Sequence, residues 1–322
     1  MKLFQSPYAD DMLRHPLFHL DVRAVSWAWP PRRFWQYSRR ILLVVHVAIF
    51  LLWALLSVLD AANNPFGPAD YRFAQYFLVN NVNFFYFVMF VAIAANTLLD
   101  FRSLQLGLKT INGEITAGRW DLLRLTALHE RGIVRAKHAG ARLRVWRITM
   151  VIVSARLATV TIGLFATLVA PYLFTGENVI TEGLLDSFIQ EPLPMLIVLL
   201  IGAVTAAVYV VEPFWRMQAM TALGMALSAH IQNAALGMLA AVGGMVAVWL
   251  LQVIVVITLV LILGVVLGSL LAPVMIYASS PLGATMYILF ACVVTALTIY
   301  GFYSLLEILS LVRVLRRIDK AH

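Results

Sequence analysis

The chain has 322 residues, of which 62% are hydrophobic and only 12% charged, with a formal net charge of +8 and a mean hydropathy of +0.87. Soluble domains run near half apolar and a quarter charged, so a soluble protein is excluded and lipid must be the solvent for most of the surface. The basic residues fall in blocks, seven in 1–40, ten in 102–147 and four in 313–320, with only Arg72, Arg156 and Arg216 elsewhere; blocks alternating with apolar runs mark positive-inside topology, which excludes nucleic acid as the partner.

Residues 1–40 mix Trp27, Trp29, Phe34, Trp35 and Tyr37 with Arg23, Arg32, Arg33, Arg39 and Arg40. Aromatics and cations together predict a cytoplasmic, amphipathic segment lying in the headgroup region, with a break at Pro30-Pro31. No small-residue cleavage site follows the first apolar run, so that run is expected to stay as an anchor. It covers Ile41 to Leu59, enough at about 1.5 Å per residue to cross roughly 30 Å of hydrocarbon. Phe77 to Leu99 is the second predicted span. Its Asn80, Asn81 and Asn83 either bond neighbouring helices or line a translocation path.

Residues 100–147 are polar, basic and rich in helix formers, and their charge predicts a cytoplasmic segment. Gly113 and Gly118 have the spacing of a phosphate-binding loop. However, Arg119 stands where that loop needs Lys, Trp120 stands where it needs Ser or Thr, and no strand precedes, which excludes a nucleotide site here. After Gly118, the apolar residues Trp120, Leu122, Leu123, Leu125 and Leu128 among charged neighbours predict a short amphipathic helix. Thr126 and the turn at 129–132 end it, and a basic helix restarts at Ile133.

The third span is Thr149 to Tyr172. A central Arg156 would cost about 2.5–3.5 kcal/mol on insertion scales, so the frame Leu157 to Phe174 is preferred, with Arg156 snorkelling to the inner interface. Residues 175–194 hold four acids and no Lys or Arg and read as an outer loop. Residues 195–228 are taken as one long span broken at Pro213, with Glu212 and Arg216 pairing at its inner end. Residues 234–271 are taken as one span plus a half-inserted outer helix, because a single helix of that length would far exceed the hydrocarbon core. The last span runs from Ala284 to about Val312, with Glu307 near the cytoplasmic surface. Basic ends on the same side require an even number of crossings. Six is the choice, and splitting both long runs would give eight.

The fold class is thus an all-α integral membrane protein, because continuous apolar runs are not the short alternating strands of a barrel. Residues 41–322 form one transmembrane domain behind the 1–40 segment. Cys292, inside an apolar run, and His46, in the first span, read as packing residues. His15 and His19 are four apart but flank a proline among apolar residues, and no metal site is expected. No catalytic constellation is present.

Three patches carry a family resemblance. Glu114, Gly118, Asp121, Leu122, Leu123, Leu125, Thr126, Leu128, Ile133 and Lys137 resemble the cytoplasmic segment between helices two and three of type-two ABC permeases, approximately E-x-x-x-G-T-x-E-x-L-L-x-T-P-L followed by Ile and G-K. "HPLFHLDVR" is similar to that family's N-P-x-x-x-x-E-x-R opening, and "LGMALSAHIQNAALGM" to its turn between helices four and five. Arg119 replaces the usual Thr, Ala127 the Pro, Ala136 the Gly, His15 the Asn and Asp21 the Glu.

The resemblance implies a six-helix permease subunit of an ATP-driven exporter in a bacterial inner membrane, with both termini cytoplasmic. It would dimerise with a second copy or a homologue. Glu114, Gly118, Trp120, Asp121, Leu122, Leu123, Leu125 and Thr126 would form a coupling helix docking into a P-loop ATPase subunit. The chain itself would be no enzyme and would hold no cofactor; ATP and magnesium would sit on the partner. The alternatives are a non-transporting scaffold or assembly subunit and an ion-coupled carrier using Glu212 or Glu307.

Overall fold

The computed structural model describes residues 15–23, 25, 30–63, 90–91, 94–111, 113–114, 117–118, 129–165, 189–231, 233–270 and 281–319. Asn80, Asn81 and Asn83, the 120–128 stretch with Trp120, Asp121, Leu122, Leu123, Leu125 and Thr126, and most of the 175–194 loop lie outside them.

The described elements are α1 Pro16–Arg23, α2 Pro31–Asn63, α3 over 94–111, α4 Glu130–Leu164, α5 Pro192–Ser228, α6 Ala234–Leu270 and α7 Pro281–Asp319. No strand occurs among the described residues. Five of these helices, α2, α4, α5, α6 and α7, are long and apolar enough to cross a membrane, as an α-helical membrane protein requires. Residues 94–99, at the end of the expected second span, are helical and lead into α3.

Several boundaries differ from the sequence expectation. Pro31 is the first residue of α2, where a proline loses no intrahelical bond. Residues 31–40 are therefore continuous with the helix of the first apolar run. Phe34 and Ser38 are buried against α4, while Trp35 stays exposed. The basic helix starts at Glu130, inside the expected turn, because the His129 side chain accepts the Arg131 backbone N–H at 3.2 Å and so caps it. It then runs unbroken to Leu164, through both the basic stretch and Arg156. α5 continues through Pro213, and α6 is one helix without the expected break after a first span.

Packing centres on α5. It runs along α7 and also packs on α4, while α2 and α1 lie against α4 and α6 touches the others mainly through α5. One buried cluster joins Phe18 and Val22 of α1, Phe34 of α2, Leu99 of α3, Ile133, Leu143 and Trp146 of α4, and Met217 of α5. Trp146 closes it as an aromatic with a polar handle: its Nε1 donates to Ser38 Oγ at 2.9 Å, and Ser38 Oγ donates to the Phe34 carbonyl at 2.9 Å.

α3 and α5 meet backbone to backbone. A Cβ on Gly107 would lie 2.5 Å from the Thr221 carbonyl oxygen and 3.0 Å from Gly224 Cα, and one on Gly224 would lie 2.5 Å from the Leu104 carbonyl oxygen. Small residues on both helices allow this approach. Ser228 Oγ donates to the Leu108 carbonyl at 2.6 Å one turn further along.

Candidate functional site

Charged side chains from α3, α4 and α5 meet in the interior. Asp100, with 0% of its surface exposed, receives Arg216 Nε on Oδ1 at 2.6 Å and Arg216 Nη2 on Oδ2 at 2.6 Å. Trp249 Nε1 of α6 donates to the same Oδ2 at 2.9 Å. Arg216 Nη1 also reaches Glu212 Oε1 at 3.2 Å, the i, i+4 pair expected from sequence. Glu212 in turn accepts Tyr303 O–H of α7 at 2.6 Å, and the Gln252 amide of α6 donates to Tyr303 at 2.7 Å.

Arg156 completes the network, and here the snorkelling expectation is overturned. Its residue is 4% exposed, and Nη2 donates to Glu212 Oε2 at 2.7 Å and to Asn96 Oδ1 at 2.9 Å. Pro213 supplies a further partner. Having no N–H, it leaves the carbonyl of Tyr209, four residues earlier, without its helical donor, and Arg156 Nη1 donates to that carbonyl. The guanidinium also lies 4.7 Å over the Tyr209 ring. Two carboxylates and two guanidiniums therefore share one enclosure with no net charge. That neutrality is what makes burial of four ions tolerable.

Glu307, expected near the cytoplasmic surface, has its Oε1 3.8 Å from His138 Nδ1 of α4. The other ring nitrogen of His138 contacts the Gln218 carbonyl at 3.1 Å and Thr221 Oγ1 at 3.0 Å. His46 has Thr161 Oγ1 3.5 Å from its Nε2. Among the described residues no group of three or more His, Cys, Asp or Glu is placed to hold a metal ion.

A second cluster lies where α1, α3 and α4 converge. Lys137 Nζ is 2.9 Å from Glu114 Oε1 and 3.4 Å from Asp21 Oδ2. Arg144 Nη2 lies 3.5 Å from Asp21 Oδ1. Gly118, just beyond Glu114, has φ +64°, a left-handed conformation that costs glycine nothing and most residues much. Its place in the motif is thus a backbone requirement for the turn that follows α3.

Asp21, Glu114 and Lys137, from two of the three motif patches, meet in space. Gly224 and Ser228, from the third, grip α3 one to two turns before Glu114. The sequence places Asp100 at the start of the polar cytoplasmic segment 100–147 and gives no sign of its buried partners. The sequence reading also missed the Arg156–Glu212 pair, although one signal pointed to it: a mid-helix proline frees a carbonyl, and a mid-span arginine needs one.

Comparison with known protein families, characterised proteins and solved structures finds no match for this chain.

Proposed function

We propose that this chain is the permease subunit of an ATP-driven exporter of the ABC type, pairing with a second permease in a bacterial inner membrane and taking its energy from a separate ATPase that carries ATP and magnesium. The reading is supported above all by the meeting of two motif patches at Asp21, Glu114 and Lys137, with the third patch gripping α3 just before the 113–129 segment. A helix docked to an ATPase there would pull on α3 through Glu114 and on α4 through its capped start at His129 and Glu130. Lys137 passes that pull to α1, and the Gly107–Gly224 contact and Ser228 pass it to α5. A lever needs such rigid attachment at both ends.

An ion-coupled carrier working through Glu212 has less support, since that carboxylate is already held between two arginines that do not release protons. The test is co-purification with candidate P-loop ATPases, comparing the parent chain with Leu122→Asp/Leu123→Asp. Charges on the apolar face should abolish pairing and ATPase stimulation while leaving the protein monodisperse. Retained pairing with unchanged stimulation would favour the scaffold instead.

A further inference from the structure

Beside the buried charges a groove of about 420 Å³ runs between α3, α5 and α6, with Asn96, Arg216, Trp249 and Gln252 at one part and Val253, Val256 and Ile257 along another. Positions 249, 252, 253, 256 and 257 recur at helical spacing, so one face of α6 forms the wall. Val253, Val256 and Ile257 are half exposed, and they lie inside the stretch of α6 that is long and apolar enough to cross a membrane. The groove therefore opens onto hydrocarbon, where no water is available to satisfy its polar atoms.

Those polar atoms are not used up by the network. Asn96 accepts from Arg156 through Oδ1, which fixes the amide orientation and turns Nδ2 into a donor with no bonded partner among the described residues. The residue itself is only 9% exposed. Arg216 spends three N–H groups on Asp100 and Glu212 out of the five that a guanidinium carries. Gln252 donates through Nε2 to Tyr303, leaving Oε1 as an acceptor. The polar end thus offers donors and an acceptor within a charge-balanced cluster.

An occupant must match that chemistry. A carboxylate or phosphate would add an uncompensated negative charge beside Asp100 and Glu212, and an ammonium would add one beside two arginines. A group that accepts and donates hydrogen bonds without charge fits both conditions. We infer that this groove binds a neutral glycerolipid from the bilayer, its hydroxyl and ester groups held by Asn96, Arg216 and Gln252 and its acyl chain laid along Val253, Val256 and Ile257. The inference concerns binding alone and stands apart from the transport reading.

The experiment uses the full chain in phosphatidylcholine nanodiscs and a monoacylglycerol bearing a photoactivatable diazirine on its chain. Crosslinks should concentrate on the peptide around 249–257, and unlabelled monooleoylglycerol should displace the probe while oleate does not. Val256→Trp, which fills the groove, should bring labelling there to background. Leu251→Trp, on the opposite face of α6, should leave it unchanged. Asn96→Ala should weaken monooleoylglycerol about tenfold, as loss of a buried hydrogen bond requires. Labelling spread evenly over the lipid-facing helices, or unchanged in a monodisperse Val256→Trp protein, would overturn the site. Equal competition by oleate would overturn the ligand class, and that comparison needs no variant.

Discussion

Asp100 binds one guanidinium through both oxygens and an indole through one of them, at distances of 2.6–2.9 Å. Asp100→Leu leaves Arg216 buried with only part of its compensation, and loss of one partner of a buried pair costs about 3–5 kcal/mol. Asp100→Leu/Arg216→Met removes one charge of each sign and leaves the Arg156–Glu212 pair intact, so it should be less destabilised than the single variant. Unfolding followed in detergent by tryptophan fluorescence measures the order, and a double variant as unstable as the single would contradict the charge-balance account. At this scale the sequence was half legible. Glu212 and Arg216 are four apart and could be paired by counting along a helix, whereas Arg156 and Glu212 are 56 positions apart and no local pattern joins them. Arg156 was assigned to the interface because the cost of burying it was weighed without the partners that tertiary packing brings.

Among the elements, the α3–α5 crossing brings two helical backbones together and leaves no room for an added methyl at Gly107 or Gly224. Gly224→Ala would set a Cβ 2.5 Å from the Leu104 carbonyl oxygen, an atom fixed in a helical backbone that cannot turn aside. Overpacking of this kind costs about 1–3 kcal/mol. Gly202→Ala, on the same helix but with nothing within 4 Å of the added Cβ, should be neutral or slightly stabilising, since alanine is the better helix former. Thermal unfolding of the two variants in the same detergent compares them directly; equal midpoints would show that the helices separate without cost. Among the described residues element type was legible, because long apolar runs without strand alternation leave only helices. Boundaries were less so. The run from Ala234 to Leu270 contains nothing that stops a helix, and the break expected there came from membrane thickness, which limits a crossing but not a helix. Conversely, the cap that starts α4 is a histidine, a residue not among the usual N-cap types.

Across the whole molecule, Lys137 stands between α1 and the end of α3, and its loss removes the cation that Asp21 and Glu114 share while Arg144 stays beside Asp21. α1 keeps its apolar anchors, since Leu17, Phe18 and Val22 remain buried, so Lys137→Met should loosen the helix without expelling it. Hydrogen bonds to charged groups contribute about 1.5–3 kcal/mol, and about 1.4 kcal/mol is a tenfold change in an opening equilibrium. Trypsin cleavage after the exposed Arg23 should therefore quicken about tenfold in Lys137→Met, where opening is fast relative to cleavage. Lys137→Arg should restore most of the protection, and Arg135→Met, one turn-fraction away on the exposed side of α4, should leave the rate unchanged. Unchanged cleavage in Lys137→Met would mean that the apolar contacts alone hold α1. If instead cleavage quickens and, in the proposed complex with an ATPase, stimulation falls with it, the same cation serves both the seating of α1 and the proposed transfer of force from the 113–129 segment.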